Sequence, residues 1–211
     1  EGWRLDPDRS RLPVIVVFVL WGSKLTECAE IMVKSCKAQG YEVWQLSDST
    51  APEIDGVDKC LREPTRGRHA MVYRMDRLAG LPLDEYISLD VDQVVMCDIS
   101  DGFEDGCDVT LMWRANKEDV RMIYNAGLIF VRNQAFIREV AAETRKLPVN
   151  EQIWWGDQIA LQKVAQSGKY RIGELRASAW NFKPAYRGER RSGIKIYHCK
   201  GNRKDWMKDY L

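Results

Sequence analysis

The sequence predicts a single α/β domain with three layers and a mixed, mostly parallel sheet, on three observations. Val14 to Trp21 is an unbroken apolar run of eight residues, the pattern of a strand covered on both faces. A helical stretch and a second strand follow it at once, the order that lays two strands parallel. The chain has 211 residues, 45% of them hydrophobic, enough apolar material for one generous core.

Each element follows in order. Residues 1–12 are polar and read as a leading arm, with the domain running from 13 to 211. After the first strand, Thr26 is a candidate cap for a helix to Ala38 that places Cys28, Met32, Val33 and Cys36 on one face and stops at Gly40. Tyr41 to Leu46 is the second strand, and Ser47 to Gly67, broken by Pro52, Gly56 and Pro64, reads as loop. A helix spans about His69 to Ala79. Strands are expected at Tyr86 to Leu89, Asp108 to Trp113 and Leu128 to Arg132. Asn133 caps a helix from Gln134 to Leu147, and Asp157 is a candidate cap for another through Gln166. Strands at Tyr170 to Leu175 and Ile194 to His198 close the chain.

Composition narrows the function. With 32 basic and 31 acidic residues the net charge is +1, which excludes whole-molecule attraction to nucleic acid or membrane, so any anion site is local. The longest apolar run falls far short of the roughly 20 residues of a membrane-spanning helix. Six cysteines at 28, 36, 60, 97, 107 and 199 form no C-x-x-C pair and read as reduced thiols of a cytoplasmic protein, although the chain opens on Glu1 and a leader could have been removed.

Four clusters could carry chemistry. Asp90 and Asp92 leave the end of an apolar strand at i and i+2, so both side chains point one way and can converge on a hard cation; the bland alternative is a solvated strand end. His198 ends a strand, with Gly201 and Lys204 spaced to offer a close backbone approach and an ammonium to phosphate, against an ordinary structural histidine. From Lys183 to Leu211 nine basic residues face three acids, either a phosphate clamp or a solvated basic tail. Asn125, Ala126 and Gly127 open a buried strand, where small residues leave room for a ligand ring or simply make a turn. Asp157 and Gln158 follow a tryptophan pair at a helix start, where capping alone accounts for the aspartate.

Taken in order, Leu89-Asp90-Val91-Asp92, Asn125-Ala126-Gly127, Gly156-Asp157-Gln158, Trp180-Asn181 and His198-x-x-Gly201-x-x-Lys204 followed by Trp206 resemble the family 8 retaining glycosyltransferases, the group of glycogenin and the bacterial lipopolysaccharide galactosyltransferases. The resemblance implies the GT-A fold, a Rossmann-like nucleotide-diphospho-sugar transferase domain, a UDP-sugar donor, and manganese or magnesium. It implies metal ligation by Asp90, Asp92 and His198, diphosphate contact by Lys204 and the Gly201 backbone, donor-sugar contacts by Asn125, Ala126 and Gly127, and reaction-centre roles for Asp157 and Gln158. Arg74 or Arg77 matches the family's arginine that reaches the donor. The first strand departs from the pattern by ending Leu20-Trp21-Gly22-Ser23, which leaves the base open and makes Trp21 a candidate stacking surface.

Two rivals stand beside this reading. Asp90-Val91-Asp92-Gln93-Val94 also fits the nucleophile motif of haloacid-dehalogenase-like phosphatases, with Asp90 attacking phosphorus. A domain that only holds a nucleotide sugar or a glycan is the other. The acceptor is open among glycan, protein, lipid and a hydroxymethylated DNA base such as a phage enzyme would modify.

Overall fold

The structure, a computed structural model, describes residues 14–114 and 120–211. The expected leading arm lies outside the described residues.

Three parallel strands start the sheet: β1 (Ile15–Leu20), β2 (Glu42–Ser47) and β3 (Lys59–Arg62). Helix α1 (Thr26–Ala38) crosses between the first two, and α2 (Ala70–Ala79) leads to β4 (Tyr86–Leu89), which lies parallel to β1 on its other side. Beyond β5 (Gln93–Val95), strands β6 (Val109–Trp113) and β7 (Tyr124–Val131) complete the middle, then α3 (Gln134–Lys146), a single turn α4 (Val149–Ile153) and α5 (Gly156–Ala165). Strand β8 (Ile172–Arg176), the turn α6 (Ala177–Trp180), β9 (Ile196–His198) and a 3-10 segment, Gly201–Tyr210, end the chain. Among the described residues seven strands form one sheet in the order β3-β2-β1-β4-β7-β6-β8, with only β7 antiparallel to its neighbours.

Alternation along β1 explains the three layers. Val16, Phe18 and Leu20 face a core shared with Met32, Val33 and Cys36 of α1 and with Met207 of the 3-10 segment. Val17 faces the opposite core, with Met75 and Leu78 of α2, Phe136 and Val140 of α3, and Leu161 of α5. Burying a side chain of this size contributes about 1.5–3 kcal/mol, and with both faces covered no face of the strand tolerates a polar residue.

Several expectations shift. The stretch expected as loop between Ser47 and Gly67 holds β3, a polar edge strand whose Lys59 and Arg62 face outward enough to hide any apolar alternation. Thr26 begins α1 without capping it; its hydroxyl donates to the Ser23 carbonyl at 2.7 Å. Asn133 does cap α3, accepting from the Ala135 amide at 3.0 Å. Asp157 lies inside α5 rather than at its cap.

Two irregularities build the site. Opposite β6, the register of β7 jumps from Leu111 paired with Ile129 to Met112 paired with Asn125, so residues 126–128 bulge out of that ladder. Such bulges re-aim a strand, and here the Gly127 carbonyl accepts from the Asp90 amide at 2.8 Å. Apart from the main sheet, β5 and β9 pair antiparallel with Gln93 opposite His198. That short ladder brings the histidine, more than a hundred residues downstream, beside the two acids.

Candidate active site

The acids, the histidine and the lysine meet at the carboxyl end of β4, where open α/β sheets place their ligands. One ligand atom from each of Asp90, Asp92 and His198 lies within 4.8 Å of the others, the spacing of a shared cation. His198 is fully buried. Its Nδ1 is 2.5 Å from Asn181 Oδ1, which can only accept, so Nδ1 carries the proton and Nε2 presents a lone pair. Gln93 Nε2 donates to the same Asn181 oxygen at 3.2 Å, and Gln93 Oε1 accepts from the Asp90 amide at 3.1 Å. The second ring nitrogen lies 3.0 Å from Asp92 Oδ1 without the alignment of a hydrogen bond. A buried lone pair facing a carboxylate oxygen is a poor arrangement for two protein groups alone and a good one for two ligands of one cation, so these residues fit a divalent metal.

Lys204 Nζ sits 3.0 Å from Asp92 Oδ2. Burial raises the pKa of Asp92, and the Lys204 ammonium 3.0 Å from Oδ2 opposes it, so the carboxyl is held below its ordinary range. Asp92 is therefore ionised at neutral pH.

Arg74 ties a second pair of acids together. Its Nη1 is 2.5 Å from Asp157 Oδ2, its Nη2 is 3.1 Å from Asp90 Oδ1, and Nη2 also donates to the Ala126 carbonyl at 2.6 Å. Burial works against the charge on Arg74, yet Asp90 and Asp157 raise its pKa above the ordinary value, so it stays a cation. The other arginine in question, Arg77, turns away and bonds Glu63 and the Leu61 carbonyl at 2.6 Å each. Of the two arginines, Arg74 is the one in the pocket.

Asn125, Ala126 and Gly127 lie behind Asp90 rather than in the pocket wall. Asn125 Oδ1 accepts from the Gly127 amide at 2.8 Å, and the Ala126 carbonyl is taken by Arg74. A Cβ on Gly127 would stand 2.6 Å from Asp90 Oδ2, so glycine there is what lets the carboxylate settle against the bulge.

Arg74, Asp90, Asp92, Asp157 and Lys204 floor a pocket of about 420 Å³ that also takes in Trp21, Tyr73, Trp154, Trp155, Gln158, Lys200 and Gly201. Trp21 stands edge-on to Tyr73 with centroids 5.3 Å apart and remains 40% exposed. Gln158 is 8% exposed, and its Oε1 has no protein donor. Asp157 Oδ1 accepts from the Gln158 amide at 2.8 Å, so both oxygens of the aspartate are engaged and capping is not its role. Trp155 adopts φ +70°, a left-handed conformation costing a residue with a Cβ about 1–2 kcal/mol. The sequence marks Asn181 only as part of the Trp180-Asn181 motif, with no role, and the Gln93 link and the strained Trp155 leave no sign in it, since each depends on a tertiary contact or a single backbone angle.

No family model matches the chain, and no curated protein matches it in sequence. Solved structures do match its fold. The glycosyltransferase GlyE of Streptococcus pneumoniae TIGR4 aligns over 95% of this chain and 61% of its own, with 17% identity and a TM-score of 0.67. The bifunctional glycosyltransferase WbbM in its apo form aligns over 98% of this chain and 50% of its own, with 15% identity and a TM-score of 0.63. The chain has a GT-A-like glycosyltransferase fold. It spans about half to three-fifths of the length of these neighbours. No described helix is long and apolar enough to cross a membrane.

Proposed function

We propose that the chain is a metal-dependent glycosyltransferase that moves a hexose from a nucleotide-diphosphate sugar, UDP-linked, to an acceptor hydroxyl with retention at the anomeric carbon. The observation that carries this reading is the meeting of Asp90 and Asp92 with the buried His198, beside Lys204 in one pocket. Held by those three side chains, a divalent ion would neutralise charge on the diphosphate, and the mixed oxygen and nitrogen ligands suit manganese better than magnesium.

The chain's own groups divide the remaining work. Lys204 offers its ammonium, and Gly201 its backbone, to the departing β-phosphate, where negative charge grows in the transition state. Trp21 supplies a face for the base. Arg74 holds Asp90 and Asp157 at fixed separation, and Asn125 to Gly127 brace Asp90 from behind. Gln158 Oε1, lacking a donor, accepts from a sugar hydroxyl, and the Asp157 carboxylate steadies positive charge at the anomeric carbon. Arg74, Lys200 and Lys204 balance Asp90, Asp92 and Asp157 in the lining, so metal loading would make the pocket net positive and receptive to a diphosphate. A phosphatase reading needs Asp90 free to attack phosphorus, and Arg74 lies 3.1 Å from its carboxylate.

A thermal-shift screen of UDP-glucose, UDP-galactose and UDP-N-acetylglucosamine with and without Mn²⁺ tests the reading. A ligand at 100 times its Kd adds about 2.7 kcal/mol, so a shift that needs donor and metal together is the expected result. Retention is read from the anomeric configuration of the product. Hydrolysis of generic phosphate esters with no donor response supports the phosphatase; donor binding with neither hydrolysis nor transfer supports a binding domain.

A further inference from the structure

Among the described residues two exposed tryptophans stand side by side at the pocket, while the exposed Tyr186 lies outside it. Trp154 and Trp155 are 56% and 51% exposed, and both line the same pocket as the acids and Lys204, with Val149 and Ile153 exposed beside them on α4. The two indoles stand 6.4 Å apart at 58° to one another, an open V at the pocket rim. Their placement is enforced by the backbone. Trp155 is held at φ +70°, and Gly156 passes so close to α4 that a Cβ would stand 2.5 Å from the Glu151 carbonyl oxygen. A left-handed tryptophan followed by an obligatory glycine fixes both rings toward the opening at a cost to stability, a pattern found where geometry serves binding.

We infer that Trp154 and Trp155 form the acceptor platform, and that they take a neutral pyranose ring. The axial C–H edges of a sugar carry slight positive charge and pack against the negative face of an indole, while its hydroxyls remain wet. Charge argues against a nucleic-acid acceptor on this face. Residues 149–158 contain Glu151 and Asp157 and no lysine or arginine, and Arg121, which reaches the segment, lies 3.0 Å from Glu151. Arg121 and Arg74 answer these two acids, so the segment that carries the rings offers phosphates no spare cation of its own. The inference rests on the transferase reading for what becomes of the bound sugar, though not for the binding itself.

The test is a tryptophan-fluorescence titration of the full chain, without donor, using the methyl glycosides of glucose, galactose and N-acetylglucosamine together with lactose and cellobiose. Trp154→Ala and Trp155→Gly are run in parallel, and UDP with Mn²⁺ binding is measured separately on the wild type. Trp155→Gly keeps the left-handed angle at no steric cost, so its urea midpoint should equal or exceed that of the wild type and show that the fold is intact. The expected result is a saturable saccharide response whose affinity falls at least tenfold in both variants. A response unchanged in both variants, the lack of any saccharide response, or stronger binding of a duplex oligonucleotide carrying 5-hydroxymethylcytosine overturns the platform. In the wild type, no saccharide binding with UDP and Mn²⁺ binding intact refutes the platform alone, whereas saccharide binding without UDP and Mn²⁺ binding supports it and refutes the donor site.

Discussion

The floor and the rim of the pocket are built on opposite terms. On the floor the acids are buried or half-buried and answered by cations, Asp92 by Lys204 and Asp90 and Asp157 by Arg74, and His198 is oriented by Asn181. At the rim, Trp154 and Trp155 are exposed, and the backbone beneath them is strained. The difference follows from the chemistry each part can do. Charges act on a developing phosphate charge without reorganisation cost only if they are already held in place, so they need a rigid, hydrogen-bonded frame. A flat ring surface works through area and tolerates small movement, so it can stand on one turn of helix.

Substitutions on the floor should therefore damage both function and folding, in proportion to the charge left unanswered. The largest effect is expected for Arg74→Ala, which strands Asp157, 6% exposed at its side chain, without a counter-charge. Breaking such a pair costs about 3–5 kcal/mol, read as a fall in the urea midpoint. Asp92→Asn should reduce metal-dependent donor affinity by at least the roughly 10- to 100-fold typical of losing an outer-sphere group, with the circular dichroism spectrum unchanged. Lys204→Ala should weaken UDP-sugar binding by about 1.5–3 kcal/mol in calorimetry while leaving metal binding nearly intact. Gly127→Ala is the sharpest probe of the bulge. Its Cβ would crowd Asp90 Oδ2, giving about 1–3 kcal/mol of destabilisation and a metal affinity that falls with it; a variant with wild-type stability and affinity would show that the bulge is no brace.

Legibility in the sequence followed the same division. Strand β1 announced itself because burial on both faces leaves only apolar residues, and α3 because Asn133 caps it with its own side chain. Asp90 and Asp92 stood out as acids at the end of a mostly apolar strand. The bulge at residues 126–128 did not, since an Asn-x-Gly run is also what a turn looks like. The pairing of β5 with β9 involves only three residues on each side, too few for any periodicity. Asp157 has the sequence position of a cap and the contacts of an ion pair, and only its distance to Arg74 separates the two. Arg74 and Arg77 sit on one helix and are indistinguishable until it is packed.

The central claim is that Asp90, Asp92 and His198 hold one divalent ion that the donor diphosphate then shares. Electron paramagnetic resonance of Mn²⁺ titrated with the protein in the presence of UDP measures this directly, because bound ions leave the free-ion signal. The account predicts loss of one equivalent of signal per wild-type chain and none with His198→Ala. Undiminished signal with the wild type, or equal loss with the variant, would contradict it.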